Sequence, residues 1–290
     1  MNFRRARPGM HDGPAALQTG GGQWKWRGEN QMKRPMSCCV LLFAGLTCAL
    51  GQSAQPTPDC TDIQMQVKRL QTKLNDWPEL ARYRDANLKV IAPAIGENRV
   101  VFMGDSITDS WDDPKYGDFF TGKSYLDRGI SGQTTPQMLV RFRADVIALR
   151  PKVVVILAGT NDLAGNTGPT TLATIEDNLA SMAEVARLNH IRVVLASVLP
   201  VSDYETRDGK PIVQTLKRPP ERIKALNAWI RKYVAENNLT YLDYYSAMID
   251  EKGFLKAELS DDGLHPNRKG YAVMGPLAEA AIAEALKRQR

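Results

Sequence analysis

From residue 98 onward the chain alternates short apolar runs with longer stretches of helical periodicity, and few folds accommodate that alternation. The clearest runs are Val100-Val101-Phe102-Met103 and Val153-Val154-Val155-Ile156-Leu157-Ala158. Runs of this kind, without polar residues in alternation, read as strands buried on both faces, the pattern of a parallel sheet. Strands are predicted over 99–103, 124–128, 152–158, 191–197 and 240–243, with helices near 134–149, 171–188, 219–237 and 270–288. Successive βαβ units of this length build a three-layer α/β/α domain over 98–290, with about five parallel strands. Open sheets of that class bind ligands beyond the C-terminal ends of their strands, so the loops that follow the strands are where chemistry is to be sought.

The first hundred residues read differently. Lys33 and Arg34 precede a run from Cys38 to Leu50 that is apolar except for Gly45 and Thr47, and small residues follow at Gly51, Ser53 and Ala54. A basic start, an apolar core and a small-residue exit describe a secretory signal peptide over 32–54. The run falls short of the roughly 20 residues a spanning helix needs, so no membrane span is expected in the mature chain. Residues 1–31 are rich in Gly and Arg without apolar periodicity, which marks Met32 as the expected start. Export is the expected destination, periplasmic or extracellular. Cys38, Cys39 and Cys48 fall in the signal segment, leaving Cys60 as the one mature thiol. One cysteine forms no intrachain bridge. Residues 55–97 form a polar linker and an arm, in which Ile63, Val67, Leu70, Leu74 and Trp77 recur at helical spacing. A helix over 62–75 is predicted, in an arm expected to pack on the main domain.

The net charge of +6 would suggest a polyanion partner, but seven of the 38 basic residues and two of the 32 acids precede Gly51. The remainder is nearly neutral and has no basic stripe with interleaved aromatics, so no nucleic-acid partner is expected.

The first strand ends in Gly104-Asp105-Ser106, which leaves a hydroxyl at the sheet's C-terminal edge. Such a hydroxyl needs a base within hydrogen-bond reach, and the base needs an orienting partner. Of three histidines, His11 lies in the leader and His190 at a predicted helix end, where an imidazole caps carbonyls. His265 stands in Asp262-Gly263-Leu264-His265, where a tight turn brings a carboxylate to one ring nitrogen; Asp261 is the competitor for that role. Two further strand ends offer donors to an oxyanion. Gly132, in Gly129-Ile130-Ser131-Gly132, presents a backbone N–H without a side chain in the way, and Asn161, in Gly159-Thr160-Asn161-Asp162, presents an amide. Each loop alone also reads as a helix cap. Asp105 and Asp162 are expected to brace these loops.

The four blocks together, in this order, resemble the SGNH (GDSL-type) hydrolase family from about Val100 to the last helix. The resemblance implies a flavodoxin-like sandwich with Ser106 as nucleophile, His265 as base and Asp262 as its orienter. It implies an oxyanion hole of the Ser106 and Gly132 N–H groups and the Asn161 side chain, with no metal or cofactor. Ile107 stands where the name-giving motif has Leu, as in the branch similar to platelet-activating-factor acetylhydrolase and lysophospholipase-type esterases. The expected activity is hydrolysis of a carboxylic ester, of a lipid or an acetylated carbohydrate, through an acyl-serine. Acyl transfer to a polysaccharide hydroxyl and a non-catalytic binding module are the alternatives. Trp111, Tyr116, Phe119 and Phe120 line a small apolar pocket or belong to the core. The connection 199–220 is either substrate-facing or a solvated excursion.

Overall fold

The computed structural model describes residues 60–117 and 119–288. The predicted signal peptide, the residues before it and most of the linker lie outside the described residues.

The elements follow the predicted alternation. A helical arm, α1 (Cys60–Asn75) and α2 (Arg84–Lys89), precedes β1 (Val100–Gly104), the single-turn α3 (Ser106–Asp109), β2 (Tyr125–Gly129) and α4 (Thr135–Asp145). Then come β3 (Val153–Leu157), α5 (Thr160–Leu163), α6 (Leu172–Leu188) and β4 (Arg192–Ala196). A small antiparallel hairpin, β5 (Thr206–Arg207) and β6 (Lys210–Pro211), is followed by α7 (Pro220–Glu236), β7 (Thr240–Leu242), α8 (Tyr244–Met248) and α9 (Arg268–Lys287). The main sheet has five strands in the order β2-β1-β3-β4-β7. All its pairings are parallel.

Because side chains alternate across a strand, each strand feeds two cores. Val101, Met103, Val154, Ile156, Val193 and Leu195 pack beneath α4, α6 and α7 with Phe142, Met182 and Ile230. Val100, Phe102, Val153, Val155 and Val194 pack on the other face with Tyr271, Met274 and Ile282 of α9. Trp111, Phe119 and Phe120 gather around Phe102 in this second core, with ring centroids 5.1–6.0 Å apart. These aromatics therefore support the sheet, and Trp111, Tyr116 and Phe120 also line a cleft beside α9.

Chain order reverses between β1 and β3: β1 is followed by β2 on one side, while β3 leads to β4 and β7 on the other. The crevice at that switch point is where an open α/β sheet binds ligands, and it is flanked by the loops carrying Ser106 and Asn161.

The arm meets the sheet domain, though not through the apolar stripe of its first helix. Its helix forms, but Ile63, Val67, Leu70 and Leu74 are 46% to 77% exposed, so its apolar stripe does not pack on the sheet domain. Docking runs instead through the turn and short helix that follow. Gln133 donates to Pro78 O (2.8 Å) and Gln137 to Trp77 O (2.8 Å), Tyr83 donates its hydroxyl to Gly129 O, and Asn87 donates to Asp145 (2.7 Å). Among the described residues, no helix is long and apolar enough to cross a membrane.

Candidate active site

Gly104 ends β1 where α3 turns back over it. A Cβ at this position would lie 2.0 Å from Thr108 Oγ1, so only glycine permits the close approach that starts the helix at Ser106. Asp105 caps that helix, its Oδ1 accepting from Ile107 N–H at 3.0 Å. As the first helical residue, Ser106 has an N–H with no intrahelical acceptor. Ile107 is buried in the second core.

His265 reaches this serine from the far end of the chain. Its Nε2 lies 2.9 Å from Ser106 Oγ and its Nδ1 lies 2.7 Å from Asp262 Oδ2. Asp262 also builds the turn that holds the histidine, because its Oδ1 accepts from the N–H groups of Leu264 (2.9 Å) and His265 (2.8 Å). Burial alone would raise the Asp262 pKa, but these bonds from the His265 side chain and backbone hold it well below the usual carboxylate range. Asp261 turns elsewhere and accepts from Asn267 Nδ2 at 3.0 Å. With Nδ1–H directed at a carboxylate, Nε2 is left unprotonated and facing a hydroxyl, the arrangement that can deprotonate a serine.

Gly132 and Asn161 meet on the neighbouring side. Gly132 takes φ +80°, a conformation that favours glycine, and the turn before it closes through Gln133 N–H to Ile130 O, leaving the Gly132 N–H outside that bond. Asn166 Nδ2 ties the two positions together, donating to Gly132 O (3.0 Å) and Asn161 Oδ1 (3.1 Å). Asn161 Nδ2 donates one hydrogen to Gln133 O at 3.1 Å, which leaves the other for a ligand.

These loops match a known family. The model of the GDSL-like lipase/acylhydrolase family covers residues 102–273. The chain belongs to this family. A GDSL-like lipase from Bacteroides thetaiotaomicron is 42% identical, with a TM-score of 0.65 over 72% of this chain and 98% of that one. A Bacteroides fragilis protein assigned as an acylhydrolase is also 42% identical, with a TM-score of 0.66 over 73% and 99% of the two chains. The lipoprotein YqeF of Bacillus subtilis is 31% identical over 125 residues, 37% of this chain, and the match spans half of YqeF's length.

Two buried aspartates brace the site of this GDSL-like family member. Asp162 takes three bonds from Thr135, two from its N–H and one from its hydroxyl, and so fastens the Asn161 loop to the start of α4. Asp105 is 1% exposed, with Oδ2 unpartnered, and burial pushes its carboxyl up to about 6. A carboxyl whose folded pKa lies above its unfolded value binds more protons when folded, so its contribution to stability falls as pH rises from about 4 to 6. The charged form costs on the order of 3 kcal/mol above that window. Asp105→Asn is therefore expected to lose about 5 °C less in melting temperature than the wild type between pH 4.5 and 7.5. Parallel melting curves for the two proteins would refute the shift.

Sequence reasoning did not find Gln133, Asn166, Gln214 or Arg218. The connection 199–220, for which two readings stood open, divides between them. Residues 206–211 at its tip are exposed, while its base meets the site: Ser202 N–H donates to Gly263 O (2.9 Å) and Gln214 Nε2 to Asp262 O (3.0 Å). The signal that could have flagged Arg218 is its place just before Pro219-Pro220. Proline is favoured at the first position of a helix, so the pair marks where α7 begins and sets Arg218 just before it.

Proposed function

We propose that this chain is a serine ester hydrolase working through an acyl-serine, with Ser106 as nucleophile, His265 as general base and acid, and Asp262 as its orienter. The observation that carries the reading is the unbroken contact from Asp262 through His265 to Ser106, at 2.7 and 2.9 Å. Ser106 Oγ attacks the acyl carbonyl carbon while its proton passes to His265 Nε2. The oxyanion that forms is held by the N–H groups of Ser106 and Gly132 and the free amide hydrogen of Asn161. Collapse expels the alcohol, which takes the proton from His265. Water then attacks the acyl-serine by the same relay and releases the acid.

Of the two substrate classes, we favour an ester of a hydroxyl-rich carbohydrate with a short acyl group. A cleft of about 670 Å3 adjoins Gly132, with Trp77, Arg82, Ser131, Asn166 and Thr167 among its walls. An aromatic face among hydrogen-bonding groups suits a sugar better than an alkyl tail. Among acetyl to decanoyl p-nitrophenyl esters, acetylated xylan and lysophosphatidylcholine, the highest kcat/KM is expected with the acetyl esters. A maximum with decanoyl ester or lysophosphatidylcholine would overturn the substrate class.

The same reading makes residues 98–290 the hydrolase domain, residues 55–97 a linker and arm, and residues 32–54 a signal peptide that directs export. The lipoprotein character of the Bacillus subtilis relative agrees with export.

A further inference from the structure

Arg218 is 6% exposed, and every hydrogen-bond partner it has is neutral. Its Nε donates to Thr160 O (3.2 Å) and Thr160 Oγ1 (3.1 Å), and its Nη2 to Asn161 Oδ1 (3.4 Å). On the other side its Nη1 donates to Gln214 Oε1 (3.0 Å), and Gln214 Nε2 donates to Asp262 O (3.0 Å). Gln214 and Thr215 are themselves pinned, their N–H groups donating to Asp203 Oδ1 at 2.6 and 3.0 Å. A continuous hydrogen-bonded strut therefore runs from the loop of Asp262 to the Asn161 amide.

Two consequences follow for Asn161. An amide can be turned over with almost no change in shape, which would exchange its donor for an acceptor. Arg218 Nη2 and Asn166 Nδ2 both donate to Oδ1, so the reversed amide would set its NH2 against two donors, and the bound orientation is the one that faces NH2 to a ligand. Donation from a cation to the amide oxygen also draws electron density from its nitrogen and strengthens the N–H as a donor. A buried guanidinium without a carboxylate at hydrogen-bond distance is a costly filler where an apolar side chain would serve. Its cation stands behind the amide that would meet negative charge during ester attack.

We propose that Arg218, braced by Gln214, is a positioning residue that orients and polarises the Asn161 amide and sets its distance from the Asp262 loop. This rests on the oxyanion role proposed for Asn161. The test is a double-mutant cycle of Arg218→Met and Asn161→Ala, assayed on p-nitrophenyl acetate. Asn161→Ala is expected to lower kcat by about 10²-fold and Arg218→Met by about 10-fold or more, with KM changed less than about threefold. Because both act through one amide, the double variant is expected within about threefold of Asn161→Ala alone. A double variant reduced by the product of the two single effects would overturn the proposal, since a general loss of stability multiplies. If Arg218→Met does not fold, the same cycle with the half-buried Gln214→Leu decides, and wild-type kcat in Gln214→Leu overturns the strut. Wild-type turnover by Ser106→Ala would instead remove the acyl-serine reading, a result separable from an additive cycle in a chain whose Ser106→Ala variant is inactive.

Discussion

Replacing Ser106 by alanine is expected to lower kcat on p-nitrophenyl acetate by about 10⁴-fold or more and to abolish labelling by a fluorophosphonate. The loss would be chemical and not structural. The Ser106 hydroxyl makes one hydrogen bond, to His265 Nε2, while the turn around it is held by Gly104 and by the Asp105 carboxylate on Ile107 N–H. The melting temperature of the variant should therefore stay within about 2 °C of wild type, since a half-exposed hydroxyl carries little of the stability. The residual rate reports what the oxyanion donors do without a nucleophile. Wild-type turnover in this variant would remove Ser106 from the reaction.

Asp262→Asn is expected to be nearly as damaging, lowering kcat by about 10⁴-fold with little effect on KM. The reason lies in how the carboxylate is used. Its Oδ1 accepts two backbone N–H groups, from Leu264 and His265, and its Oδ2 accepts His265 Nδ1–H. An asparagine that keeps its oxygen on the backbone donors must present NH2 to Nδ1. The ring then carries its proton on Nε2 and cannot accept one from Ser106. Turning the amide over restores the tautomer but sets NH2 against both backbone donors and breaks the turn. Either way the base is disabled while the cleft is intact, so kcat falls and KM does not. A variant with both kcat and KM unchanged would show that the carboxylate has no part in the relay.

The fold was largely legible because its strands are unbroken apolar runs. β1 and β3, the two that flank the crevice, are buried along their whole length, and only a parallel sheet covered on both faces gives a strand that environment. The strand ends and the residues beyond them then followed from chain order: Ser106 after β1, Gly132 after β2 and Asn161 after β3. How the arm joins the domain was not legible, for a physical reason. The apolar spacing of Ile63, Val67, Leu70 and Leu74 specifies a helix with an apolar face, but periodicity does not say whether that face meets this domain. The contacts that do join the arm to the sheet come from Trp77, Pro78, Tyr83 and Asn87, whose backbone and polar atoms leave no periodic trace.

Arg218 shows the other limit. In the chain it sits near Arg207, Lys210 and Lys217 in a charged connection, and nothing in composition separates it from them. Folding separates them, because Lys217 faces solvent while Arg218 turns inward onto Thr160 and Asn161. Local sequence determined the identity and order of the candidate groups here, since a strand's apolar run and the turn that follows it are properties of neighbouring residues. Tertiary structure alone decided that Ser106 and His265, 159 residues apart, lie 2.9 Å from each other. It also decided which arginine among several stands behind Asn161, because burial and long-range hydrogen bonding depend on what the rest of the chain brings to the same place.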